Sequence, residues 1–176
     1  MLSYRSINEL VQAALSANTS IGTVVIRQQA LEQGRSTDEL YQQMKDNLQV
    51  MRQSIDAGLR CKHRSPSGLS GGDACKLLEA VEKGSTVGGT LLGKAVARAI
   101  AVAEVNASMG RIVAAPTAGS CGILPAALLT VMEERNIPEE QAILGLFTAG
   151  GIGLVISKQA TISGAQGGCQ AECGSA

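Results

Sequence analysis

Residues 36–58 read STDELYQQMKDNLQVMRQSIDAG, and their pattern decides the fold. Ser36-Thr37-Asp38-Glu39 is a capping box, in which a hydroxyl accepts from the amide three residues on and a glutamate reaches back to the cap. Leu40, Met44, Leu48, Met51 and Ile55 then recur at helical spacing until Gly58 stops the pattern. Toward the N-terminus, Ser6-Ile7-Asn8-Glu9 repeats the capping pattern. Behind it Ile7, Leu10, Val11, Ala14 and Leu15 share one helical face. Between these two helices, Asn18 to Ser20 breaks the periodicity and Ile21 to Gln33 is ambiguous. Val24-Val25-Ile26 suits a short strand, Arg27 to Glu32 favours helix, and Gly34 ends the segment.

Toward the C-terminus, Arg60 to Gly72 reads as a loop containing Cys61, His63, Pro66 and Ser67-Gly68-Leu69-Ser70-Gly71-Gly72. Asp73 opens a helix with Ala74, Leu77, Leu78 and Val81 on one face, and Gly84 closes it. An alanine-rich helix of low charge follows, roughly Gly89 to Met109, with Glu104 and Asn106 in its apolar last turns. A second glycine loop, Ala115 to Gly122, feeds a helix bearing Ile123, Leu124, Ala127, Leu128, Val131 and Met132. Asn136-Ile137-Pro138-Glu139 predicts another helix start, with Asn136 as cap and Pro138 in the first turn. That helix carries Gly145, Gly150, Gly151 and Gly153. A third glycine-rich stretch, Ser163 to Cys173, leads into a helical pattern over 170–176. Strand signals are nearly absent and no internal repeat is evident. The pattern predicts an all-α, compact multi-helix domain of about seven or eight helices, with glycine-rich loops at helix N-termini.

Composition narrows the function. Hydrophobic residues make up 45% and charged residues 17%, which is a globular balance. Aromatics are 2% and the net charge is zero, so neither base stacking nor a basic footprint for nucleic acid or an anionic membrane is available. The start of the chain lacks a basic region followed by an apolar one, and a cytoplasmic protein is expected. The charge-free stretch between Glu140 and Lys158 falls short of the ~18–20 residues a membrane span needs, and reads as a buried core helix. Five cysteines without an export signal disfavour disulfides, so Cys61 and Cys75 read as buried small thiols.

The three glycine loops, Ser67 to Asp73, Pro116 to Gly122 and Ser163 to Cys173, each place backbone N–H groups at a helix start, where a carboxylate or phosphate is favoured. None is a nucleotide-binding fingerprint. Cys169 and Cys173 stand four apart and share a helical face, but two ligands do not close a zinc site. His63 is the one histidine in the chain, which excludes a histidine-rich metal centre and reads as a solvated side chain.

Four segments, in order, carry a family resemblance: Ser67-Gly68-Leu69-Ser70-Gly71-Gly72-Asp73, Glu104-Val105-Asn106-Ala107-Ser108-Met109-Gly110, Ala115-Pro116-Thr117-Ala118-Gly119-Ser120, and Ser163-Gly164-Ala165 with Gly168-Cys169-Gln170-Ala171-Glu172. Together they resemble the alpha chain of the bacterial iron–sulfur-dependent L-serine dehydratase (L-serine ammonia-lyase). The resemblance implies conversion of L-serine to pyruvate and ammonia with a [4Fe–4S] cluster, whose open iron site serves as Lewis acid on the serine hydroxyl. It places one cluster ligand at Cys169 and two more in a Cys-Asp-Pro-Val-Ala-Gly-type segment that these residues do not contain. The chain therefore reads as the N-terminal part of a longer subunit, inactive alone. Residues 1–60 are expected to form an N-terminal helical segment packed on the catalytic part, and 61–176 the N-terminal portion of the iron–sulfur domain. The resemblance also implies a separate beta subunit.

Ser67, Ser70, Thr117 and Ser163 are the candidate substrate-binding residues, supplying hydroxyls and loop amides to the serine carboxylate. Gln170 and Glu172 flank Cys169 and are expected to support it. The base is open among Asp73, Glu104, Lys94 and Lys158. Cys121 and Cys173 count as neighbours of the site. The alternative reading is a non-catalytic helical module that binds an anion or a soft metal.

Overall fold

The structure, a computed structural model, describes residues 4–60 and 64–176. The readings of Cys61 and His63 fall outside the described residues. Among the described residues nine helices follow one another: α1 Ile7–Ser16, α2 Ile21–Gln33, α3 Thr37–Leu59, α4 Asp73–Glu82, α5 Gly89–Ala107, α6 Ile123–Glu134, α7 Glu139–Gln159, α8 Gly164–Gly167 and α9 Cys169–Ser175. No strand occurs among the described residues, as the all-α reading expects. The larger helix number comes from the third glycine stretch, which forms two short helices hinged at Gly168.

Local chemistry sets the helix starts. At α3 both halves of the capping box form: the Glu39 amide donates to the Ser36 hydroxyl at 3.1 Å, and the Ser36 amide donates to the Glu39 carboxylate at 2.9 Å. At α1 the Ser6 hydroxyl caps the Glu9 amide, but the Glu9 carboxylate accepts from Arg5, one residue earlier than a capping box requires. The ambiguous segment 21–33 is a helix. Ser20 caps it through the Thr23 amide, and Gly34 ends it at a left-handed φ of 62°, which a side chain rarely tolerates. The expected start at Asn136 is corrected. Asn136 and Ile137 close α6 by donating back to Glu133 and Met132, and Pro138 is the N-cap of α7. Proline disfavours helical backbone in the residue before it, so the helix cannot begin two residues earlier.

Glu39 yields a pH prediction. Its hydrogen bonds to the Ser36 backbone and hydroxyl hold its carboxyl below the usual range. A group depressed in the folded state contributes stability above its unfolded value and loses it as pH falls through the folded value. Thermal unfolding of Glu39→Gln is therefore expected to fall less than that of the parent between pH 7 and pH 3, and parallel curves would refute the cap's part in acid stability.

Long-range packing then closes the core. Leu10, Val25, Leu48, Met51, Val102 and Phe147 are buried together, so helices from both ends of the sequence share one interior. The chief pairings are α4 and α3 with α5, and α2 with α7. Glycine makes two of them possible. A Cβ on Gly58 of α3 would collide with the backbone of Ala101 in α5, and one on Gly22 of α2 would lie 2.9 Å from the carbonyl carbon of Leu144 in α7. α7 is long and apolar enough to cross a membrane by length and composition. Here Ala142, Ile143, Leu146, Phe147 and Val155 are buried in the core, as the reading of a packed helix expects. Its other side, through Gly150 and Gly153, borders a cleft of about 310 Å³.

One cysteine reading is overturned. Cys75 lies partly buried on α4 and is disulfide-bonded. The compartment argument concerns where disulfides persist, whereas pairing depends on how closely the fold brings two thiols, which spacing along the chain does not reveal.

Candidate functional site

The last turns of α5 hold two of the glycine loops. Glu104 is 5% exposed, and its Oε1 accepts from the amides of Asp73 and Ala74 at 2.6 and 3.3 Å. It thereby caps α4, whose own N-cap, Gly72, has no side chain to do so. Two residues on, the Asn106 side-chain amide donates to the Ala118 carbonyl at 3.0 Å. Residues two apart on a helix point to different sides. The first loop is thus tied to one side of α5 and the second loop to another.

The second loop turns on Ser120, which is 1% exposed. Its hydroxyl donates to the Ala115 carbonyl at 3.0 Å and lies 3.3 Å from the Thr117 hydroxyl. The Thr117 hydroxyl donates to the Glu172 carboxylate of α9. That carboxylate fills a cradle: a Cβ on Gly119 would sit 2.5 Å from its Oε1, and one on Gly164 would sit 2.7 Å from its Cδ. The second and third glycine loops therefore meet around a carboxylate. Sequence reading missed Ser120, although it stands inside a quoted segment. Its full burial is the feature that marks it, and burial is not visible in the sequence.

The remaining candidates are more dispersed. Ser67 and Ser70 stay within their own loop, where the Ser67 hydroxyl lies 3.1 Å from that of Ser65 and the Ser70 amide donates to the Ser65 hydroxyl at 3.2 Å. Ser163 precedes α8, and its carbonyl accepts from the amides of Gln166 and Gly167. Among the base candidates, Asp73 is exposed and pairs with Lys76 at 3.1 Å. Lys158 donates to the Tyr4 carbonyl. Lys94 lies near the other end of α5, ten residues and about 15 Å of helix from Glu104. Most amides that looked free at the loops are used internally: Cys121 and Ile123 donate to Ala118 and Ser120, and Asp73 and Ala74 to Glu104.

Cys169 opens α9 and is exposed, as are Cys173 and Gln170. Glu172 stands three residues after Cys169 on the same short helix, so its seat in the cradle fixes where that thiol projects. No group of three or more metal-binding side chains forms among the described residues. Cys121 is buried, and burial pushes its thiol up from the ordinary value. Only thiolates react quickly with a disulfide reagent. At pH 8, Cys169 and Cys173 are expected to be modified rapidly in the folded protein and Cys121 only on unfolding, as peptide mapping of the labelled chain will read. Labelling of Cys121 at the same rate would contradict its burial.

Comparison with known proteins places this geometry in a family. Residues 16–176 match the family described as serine dehydratase alpha chain. The chain belongs to that family. It is 43% identical over 173 residues to the probable L-serine dehydratase alpha chain of Bacillus subtilis, covering 98% of this chain and 57% of that one. It is 38% identical over 168 residues to the L-serine dehydratase alpha chain of Peptoniphilus asaccharolyticus, covering 96% and 58%. To the L-serine dehydratase of Streptomyces coelicolor it is 31% identical over 175 residues, covering 98% and 38%. The chain thus spans just over half the length of the curated alpha chains it matches. All three glycine loops, Glu104, Thr117 and Cys169 lie within the residues matched to the serine dehydratase alpha chain family.

Proposed function

We propose that this chain forms part of an L-serine dehydratase, a lyase that converts L-serine to pyruvate and ammonia, working with a beta subunit in the cytoplasm. The family membership supports the reaction class. The observation that carries the site is the Glu172 carboxylate held by the Thr117 hydroxyl between Gly119 and Gly164. Loops that hold one carboxylate in this way carry the kind of donors that a substrate carboxylate bound beside Glu172 would need. Ser67, Ser70, Thr117 and Ser163 are proposed to supply hydroxyls that bind and orient the substrate.

The reaction removes the α-proton and the β-hydroxyl of serine, giving an enamine and water. The enamine tautomerises to an imine, and water returns to release ammonia and leave pyruvate. The chain's part in this proposal is to bind and align the substrate. In the same proposal residues 1–60 buttress the catalytic part, 61–176.

A [4Fe–4S] cluster belongs to the proposal through Cys169, an exposed thiol at the start of α9 with Glu172 anchoring the helix behind it. The described residues bring Cys173 as the next nearest thiol on the helix and no third donor, so they do not complete a cluster site. The other ligands are proposed to come from protein outside residues 1–176.

The test is turnover by the whole enzyme, purified without air together with its beta subunit. L-serine is expected to yield pyruvate and ammonia in equal amounts. An iron-replete assembly that binds L-serine but forms no ketoacid would overturn the proposal. Thr117→Val, which keeps the shape and removes the donor, is expected to raise the KM for L-serine about tenfold, the effect of one lost hydrogen bond to a charged group. An unchanged KM would remove Thr117 from the site.

A further inference from the structure

Glu104 holds more charge than its capping role requires. The chain caps α1, α2 and α3 with neutral serines, yet it caps α4 with a buried carboxylate reaching across from α5. Oε1 accounts for the two amides at the α4 start. Oε2, on the same carboxylate and at the same turn, is sealed from solvent and has no hydrogen-bond partner among the described residues. An ionised carboxylate has acceptor sites on both oxygens, and leaving one bare in the interior is costly. Among the described residues that flank the α4 start in sequence, the Arg64 guanidinium donates to the Gly71 carbonyl and Lys76 pairs with the exposed Asp73.

We infer that Glu104 Oε2 receives the α-ammonium group of the amino-acid substrate, at the junction of α4, α5 and the loop that carries Ser67 and Ser70. The inference rests on the reading of the chain as part of an L-serine dehydratase. Of the three polar groups on L-serine, charge excludes the carboxylate from this place. The ammonium brings three donors and a positive charge to a buried anion, whereas the hydroxyl brings one donor and no charge.

The experiment uses the assembled enzyme with Glu104→Gln. The amide keeps an oxygen to cap α4 and turns an NH2 donor toward the place of the ammonium. Three ligands separate the groups: L-serine, L-alanine, which lacks the hydroxyl, and 3-hydroxypropionate, which lacks the ammonium. The KM for L-serine and the inhibition constant of L-alanine are expected to rise at least about tenfold, with 3-hydroxypropionate inhibition unchanged. In the parent enzyme, 3-hydroxypropionate is expected to bind at least about tenfold more weakly than L-serine, a comparison that stands even if the variant does not fold. Unchanged L-alanine inhibition in the variant overturns the inference, and so does equal affinity of the parent for L-serine and 3-hydroxypropionate. Weakening of 3-hydroxypropionate alone would assign Oε2 to the hydroxyl and overturn it as well. A parent that binds L-alanine through Glu104 but forms no pyruvate from L-serine overturns the proposed reaction and leaves the ammonium site standing.

Discussion

Gly58→Ala is expected to destabilise the fold by about 3 kcal/mol, lowering Tm by about 6–12 °C in a chain of this size. On propensity alone the change should help, because alanine is favoured over glycine in a helix interior by about 1 kcal/mol. The packing term has the opposite sign and is larger. A Cβ at position 58 would stand 2.6 Å from both the Cα and the carbonyl carbon of Ala101, and these are backbone atoms that no rotamer change can move aside. Either α3 and α5 separate, exposing Leu48, Met51 and Val102 at the centre of the core, or the clash persists. Gly150→Ala and Gly153→Ala are the controls, since both lie inside α7 with nothing within 4 Å of the new methyl. Each is expected to stabilise by about 0.5–1 kcal/mol. Urea unfolding of the three variants measures both signs, and a neutral Gly58→Ala would mean that the α3–α5 contact has slack.

Cys169→Ser in the assembled enzyme is expected to abolish pyruvate formation and strip iron from the protein, while Cys173→Ser retains both. Both thiols are exposed and they stand about one turn apart, so exposure as such does not separate them. The family resemblance does, since it implies a cluster ligand at Cys169 and none at Cys173. Cys169 is the first residue of α9, directly after Gly168 at φ 76°, and Glu172, three residues on, anchors the helix to Thr117. Removing a ligand costs more than the ~10–100-fold that follows loss of an outer supporting contact, so Glu172→Gln is expected to fall in that lesser range and Cys169→Ser below it. Iron content by metal analysis, beside turnover, reads the difference. Full iron and full activity in Cys169→Ser would end the proposed role of that sulfur.

Effects within one turn of helix were legible in the sequence. The capping box at Ser36, the left-handed stop at Gly34 and the apolar faces of α1 and α3 involve residues three or four apart, and their geometry is independent of the rest of the chain. The resemblance motifs likewise pointed to the three loops. Even locally the reading had limits. Asn136 has the right side chain to cap a helix, but Pro138 behind it moved the start to Glu139.

What the tertiary structure alone decided are contacts between residues far apart in sequence. Glu104 meets Asp73 across 31 positions and Thr117 meets Glu172 across 55. The same holds for the bond at Cys75, the burial of Ser120 and the glycines at 22 and 58, which the sequence marks as permissive without saying what approaches them. The physical reason is that helix caps and faces arise from i to i+4 geometry encoded at each position, whereas the direction a loop amide or a buried carboxylate points depends on how whole helices dock, and docking is set by the summed packing of the core.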